Sequence, residues 1–125
     1  MISPGRFAYT TGNAIMVLME TRYVVPLQGS PVDRYRHFHV SDKGKVLEFA
    51  IQYEAQIDGV WHEIVRYDMA HGRPHKDLLH ADSTEAKGEF LYYDADQVLT
   101  LGQDDIRKNW AAYREQYEKE MRRRR

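Results

Sequence analysis

Between Val46 and Tyr67 apolar and polar residues alternate on both sides of Asp58-Gly59, and this pattern demands an antiparallel β-hairpin. Successive side chains of a strand point to opposite faces, so a hairpin that is apolar on one face must bury that face against another element. Two closures compete. A two-residue loop at Asp58-Gly59 pairs Ile51 with Arg66 and Phe49 with Asp68, which sets charges among apolar side chains. A three-residue loop, Ile57-Asp58-Gly59, with Gly59 left-handed in a bulged turn, pairs Phe49 with Tyr67, Ile51 with Val65 and Ala55 with Trp61. The second register is the expectation. It leaves Glu48, Gln52, Glu54, His62, Arg66 and Asp68, with Ile64, on the opposite face as a solvated surface or a site, and makes Glu54 and His62 a cross-strand pair.

The cover for the apolar face lies at the C-terminal end. Ile106, Trp110, Tyr113, Tyr117 and Met121 recur at steps of four, three, four and four, the stripe of an amphipathic helix. Asp104 and Asp105 suit its electropositive first turn, whether or not it begins a turn or two earlier, before Gly102. The run Arg122 to Arg125 suits the negative end and is expected to fray into a disordered, solvated tail. Upstream, Ala14 to Met19 with Tyr23-Val24-Val25 leans to strand, and Arg34 to Val40 reads as another. Strands followed by a covering helix give an α+β class: a mainly antiparallel β-sheet covered by a C-terminal amphipathic α-helix. At 125 residues and 42% hydrophobic, the chain is expected to be a single α+β domain spanning 1–125.

Composition removes several classes of function. With no cysteine there are no disulfides, no thiolate nucleophile and no Cys-based zinc or iron–sulfur site. The longest apolar run is six residues against the roughly 20 that a bilayer requires, and no signal-peptide pattern opens the chain, so a cytoplasmic protein without a membrane role is expected. Net charge is −1, and without the terminal arginines 14 basic residues face 19 acidic ones. A body of that balance is not built to bind nucleic acid through charge alone, although four adjacent arginines attract phosphate.

The chemistry concentrates in one stretch, Asp68-Met69-Ala70-His71-Gly72-Arg73-Pro74-His75-Lys76-Asp77-Leu78-Leu79-His80, which holds three of the six histidines and two aspartates in 13 residues. It follows a strand and crosses a Gly and a Pro, so it is expected to be an irregular loop that can fold polar groups toward one point. Imidazole and carboxylate are the ligands available for a divalent metal when thiolates are absent, which makes Asp68, His71, His75, Asp77 and His80 the candidate ligand or metal-binding set. Arg66 and Arg73 are the candidate anion-binding residues. The same groups suit acid–base work, with His71 or His75 accepting a proton, and they equally suit hydrogen bonding that fixes the loop's path. No nucleophile elbow, phosphate-cradling glycine loop or dinucleotide fingerprint specifies a reaction. A second polar segment, Arg34, Arg36, His37 and His39, would turn alternate side chains toward Arg66 and Asp68 if its strand lies beside the hairpin; as a charged edge strand it would need no function.

The run from Val65 to His75 resembles a family of small prokaryotic domains of unknown function, in which a hairpin ends in Arg-Tyr-Asp, Ala-His-Gly and Pro-His, followed by an Asp and a C-terminal helix with Asn-Trp and Tyr-Arg. Here these are Arg66-Tyr67-Asp68, Ala70-His71-Gly72, Pro74-His75, Asn109-Trp110 and Tyr113-Arg114, and the resemblance spans roughly Lys45 to Glu118. It implies a fold but no activity. Tyr67-Asp68 with His71 and His75 is also distantly similar to the TumE-like toxins of toxin–antitoxin pairs, and Lys76-Asp77 departs from the His-rich end of that pattern. Two functions are therefore in play: a ligand- or divalent-metal-binding domain using the His/Asp-rich segment, and a toxin-like interaction protein acting on RNA or a protein partner, with self-association open in either case.

Overall fold

A computed structural model describes the backbone at 2–11, 14–69, 72–90 and 92–124, and side chains from residue 17 onward within those ranges. Seven strands form one antiparallel sheet whose spatial order is the sequence order: β1 (Ile2–Thr11), β2 (Ala14–Pro26), β3 (Asp33–Asp42), β4 (Lys45–Ile57), β5 (Val60–Asp68), β6 (His75–Leu79) and β7 (Glu85–Glu89). Among the described residues there is one α-helix, α1 (Ala95–Arg123), which follows the strands and lies on β4 and β5. The architecture is α+β, as the hairpin and the helical stripe require.

The central hairpin differs from its expected register, for a physical reason. Its turn is the two-residue one: Ile57 pairs with Val60, and Asp58 and Gly59 both take positive φ, 54° and 80°, the conformation that matches the twist of the flanking strands. The clash that this turn threatened is removed by a bulge. Glu54 pairs with Glu63 and Tyr53 with Val65, so Ile64 is the extra residue, and beyond it Ile51 faces Tyr67 and Ala50 faces Asp68. Ile64 and Val65 are consequently both buried on the helix side. The two-residue turn, before the bulge is reached, exchanges two side chains: Trp61, expected beside Ala55 on the apolar face, pairs with Gln56 on the other face, and His62 takes its place opposite Ala55, with Nδ1 3.2 Å from Tyr117 Oη. Glu54 and His62 are therefore on opposite faces and are not a cross-strand pair.

The helix begins well before Asp104. Asp94 caps it, accepting from Gln97 N at 2.8 Å while Gln97 Oε1 accepts from Asp94 N at 2.9 Å, the reciprocal pattern of a capping box. Asp104 and Asp105 thus lie mid-helix instead of in a first turn. Val98, Leu99, Ile106 and Tyr117 are buried against Phe49, Ile51, Tyr53, Ile64, Val65 and Tyr67, and Trp110, Tyr113 and Met121 pack on the margin of that core. Helix and sheet touch most closely at Gly102, where a Cβ would sit 2.8 Å from the Tyr67 ring and 3.0 Å from Ile51 Cδ1. Of the arginine run, Arg122 and Arg123 are helical and Arg124 donates to the Ala81 carbonyl, while Arg125 lies outside the described residues. No helix among the described residues is long and apolar enough to cross a membrane.

Candidate metal centre

The segment read as a loop becomes a strand at His75, and strand pairing, not loop folding, assembles the site. In β6, His75 lies opposite Asp68 and Asp77 opposite Arg66. Because side chains alternate, Arg66, Asp68, His75 and Asp77 share the face turned away from α1, while Tyr67 and Lys76 between them point toward it. One donor atom from each of Asp68, His75 and Asp77 lies within 4.8 Å of the others, a set that could hold a metal ion.

The geometry within this set is informative. His75 Nε2 is 2.7 Å from Asp68 Oδ1 and 3.9 Å from Asp77 Oδ2. Two donors at about 2.1 Å from one cation are roughly 3 to 4 Å apart, so the 3.9 Å spacing fits a shared ion, whereas the 2.7 Å spacing is that of a hydrogen bond and would open by a few tenths of an ångström to admit one. His75 Nδ1 is 3.2 Å from the Arg73 carbonyl, which can only accept, so Nδ1 carries the proton of that bond. The lone pair of Nε2 then faces carboxylate oxygens, an arrangement satisfied by a second ring proton or by a cation. Asp77 decides between them. It is only 8% exposed, and its Oδ1 is buried with no hydrogen-bond partner, so a proton shared between His75 and Asp68 leaves it unsatisfied. The other buried side-chain atom without such a partner among the described residues is Arg66 Nε, 3.1 Å from Asp68 Oδ2 but not aligned for a hydrogen bond. Both orphans belong to this one face.

Tyr67 and Lys76, on the helix side, lock the two site strands to α1. Tyr67 and Tyr113 donate to Asp105 Oδ2 at 2.6 and 2.7 Å, Asn109 donates to Oδ1 at 2.8 Å, and Lys76 Nζ donates to Tyr113 Oη at 2.8 Å. Burial pushes the Asp105 carboxyl up, but the hydrogen bonds from Tyr67, Tyr113 and Asn109 and the Lys76 charge hold it below its ordinary value. Asp105 carried no functional signal in the sequence, because its partners come from β5, β6 and the next helical turns.

The remaining candidates go elsewhere. His80 hydrogen-bonds Glu120 of α1 at 2.9 Å and is not part of the cluster, since β6 ends at Leu79 and the chain turns toward the helix. Arg73 lines a separate cleft with Pro74, Glu89, Phe90 and Tyr93. His71 lies outside the described residues. Of the second polar segment, Arg34 and Arg36 do face the site side, where both donate to Glu54, at 2.5 and 2.9 Å, and Arg34 stacks over Trp61 at 3.7 Å. Burial pushes Glu54 up, and the hydrogen bonds from Arg36, Arg34 and Gln52 more than reverse it. His37 and His39 point the other way and form a chain: Tyr35 Oη is 2.6 Å from His37 Nδ1, and His37 Nε2 is 2.6 Å from His39 Nδ1.

Residues 18–123 match the family model of a domain of unknown function, DUF7718. The chain belongs to that family. No curated protein and no solved structure matches it. In this DUF7718 chain, the Arg-Tyr-Asp and His-Lys-Asp triplets divide by alternation: the outer residues of each turn to the face of the candidate centre, where Asp68, His75 and Asp77 form it beside Arg66, and the middle one anchors it to the helix.

Proposed function

We propose that the protein is a divalent-metal-binding domain whose centre is Asp68, His75 and Asp77. The observation that carries this reading is the buried, unpartnered Oδ1 of Asp77 beside an imidazole nitrogen that already faces a second carboxylate. One nitrogen and two carboxylates suit Mn2+, Fe2+ or Zn2+, and three protein ligands leave positions for water or a substrate. The Arg73 carbonyl fixes the His75 tautomer, and the Arg66 guanidinium orients Asp68 and favours an anion beside the ion. Arg73 itself, in its separate cleft, is a further anion candidate.

Thermal unfolding with Mn2+, Zn2+ or a chelator tests it. A cation at a hundredfold excess over its dissociation constant stabilises by about 2.7 kcal/mol, a rise of roughly 10 °C for a chain this size. Asp77→Asn should abolish that rise while leaving the metal-free protein as stable or more so, because it removes an uncompensated buried charge. Equal shifts in the parent and in Asp77→Asn would refute the assignment.

A further inference from the structure

The site face does not end at the cluster. Along β4, Ala50 lies opposite Asp68 and Gln52 opposite Arg66, and on β3 Phe38 and Arg36 face the same two positions. Ala50 is thus a lone methyl between Phe38 and Asp68, flanked by long side chains. A recess of about 640 Å³ opens over it, with Arg36 and Arg66 on its lining, and that volume is ample for a small organic molecule. Glu54 accepts from Nε and Nη2 of Arg36, which fixes the guanidinium plane without using Nη1. The buried Nε of Arg66 has no hydrogen-bond partner.

We infer that this recess takes a phosphoryl group, bound by the Arg36 and Arg66 guanidiniums at the edge where Ala50 of the lining lies opposite Asp68, so that the group also reaches the cation held by Asp68, His75 and Asp77. The inference rests on the metal reading. Two carboxylates balance a divalent ion, so a dianion arriving at its open positions needs further cations, and two planar guanidiniums across Gln52 supply fork-shaped donors suited to phosphoryl oxygens. Glu48 also lines the recess, but on the far side of Ala50 from Gln52, where it can accept from a hydroxyl of an organic phosphate. The phosphoryl group could arrive as free phosphate or on such a molecule, and the two are separable by affinity.

The test is calorimetric titration of the Mn2+-loaded protein with inorganic phosphate, ribose 5-phosphate and ribose. The expected result is Mn2+-dependent binding of the phosphorylated probes and none of ribose. Arg36→Gln should weaken it by at least about tenfold. Ala50→Leu, which sets a branched side chain on the recess floor between Phe38 and Asp68, should weaken it at least as much, and neither variant should alter Mn2+ affinity more than about twofold, since neither residue is a ligand. Tighter binding of ribose 5-phosphate than of phosphate assigns an organic phosphate; equal binding assigns the free ion. Mn2+ binding without phosphate or ribose 5-phosphate binding, or binding unchanged in both variants, overturns this inference and leaves the metal centre standing. Failure of Mn2+ itself to bind overturns both.

Discussion

Acidification should destabilise this protein through one buried histidine before the ion-paired carboxylates of Asp33, Glu54 and Asp105 are lost. His37 is only 3% exposed, stacked on Tyr23 at 4.5 Å, and faces Tyr35 and His39 from its own strand and Gln103 from α1. Burial, then the neighbouring His39, pushes it down from 6.5 to about 4, and His39 is lowered by burial despite the Asp96 carboxylate. A basic group depressed in the folded state binds its proton more tightly when unfolded. Its contribution is therefore whole above the unfolded value near 6.5, declines as pH falls, and is fully lost below about 4. The shift corresponds to roughly 3 kcal/mol at completion, a large part of the 5 to 15 kcal/mol typical of a domain. Asp33, Glu54 and Asp105 are all held below their ordinary values, so their losses begin at lower pH. Urea unfolding followed by tryptophan fluorescence at pH 7.5 and 4.5 should show a fall of about 2 to 3 kcal/mol, at least halved in His37→Gln. Equal stabilities at the two pH values, or an undiminished fall in His37→Gln, would refute the reasoning.

Two further expectations concern the helix and its seat. Arg114 donates to Asp33 Oδ1 at 2.8 Å, Val32 O at 3.1 Å and Gln56 O at 3.0 Å, so Arg114→Ala strands a buried carboxylate and should cost about 3 to 5 kcal/mol in urea unfolding; a loss under about 1 would contradict this. Gly102→Ala gains about 1 kcal/mol of helix propensity but drives a methyl into a Tyr67 ring pinned by Asp105, and a net loss of roughly 1 to 2 kcal/mol should appear as a lower melting temperature. A stabilised Gly102→Ala would mean that the ring yields freely.

Much of this architecture was legible from periodicity. Alternation around Asp58-Gly59 gave the core residues of β4, and the four-three-four-four stripe gave the helix, because both patterns follow directly from which side chains must leave water. The hairpin's pairing was harder. A bulge at Ile64 lets the two-residue turn coexist with an apolar face, and a single apolar residue among polar ones was the sole hint of it. The site was visible as composition but not as geometry. Asp68, His75 and Asp77 converge through β5–β6 pairing, whereas His80, equally attractive by residue type, is drawn off by Glu120, 40 positions away. The helix start was hidden because Gly102 looks like a breaker until its close contact with Tyr67 is seen.

The most direct test of the centre is pulsed electron paramagnetic resonance of the Mn2+-loaded protein. Modulation from a single imidazole nitrogen should be present, lost in His75→Gln and retained in His80→Gln. Absence of any nitrogen coupling, or a coupling that survives His75→Gln, would contradict a centre built from Asp68, His75 and Asp77.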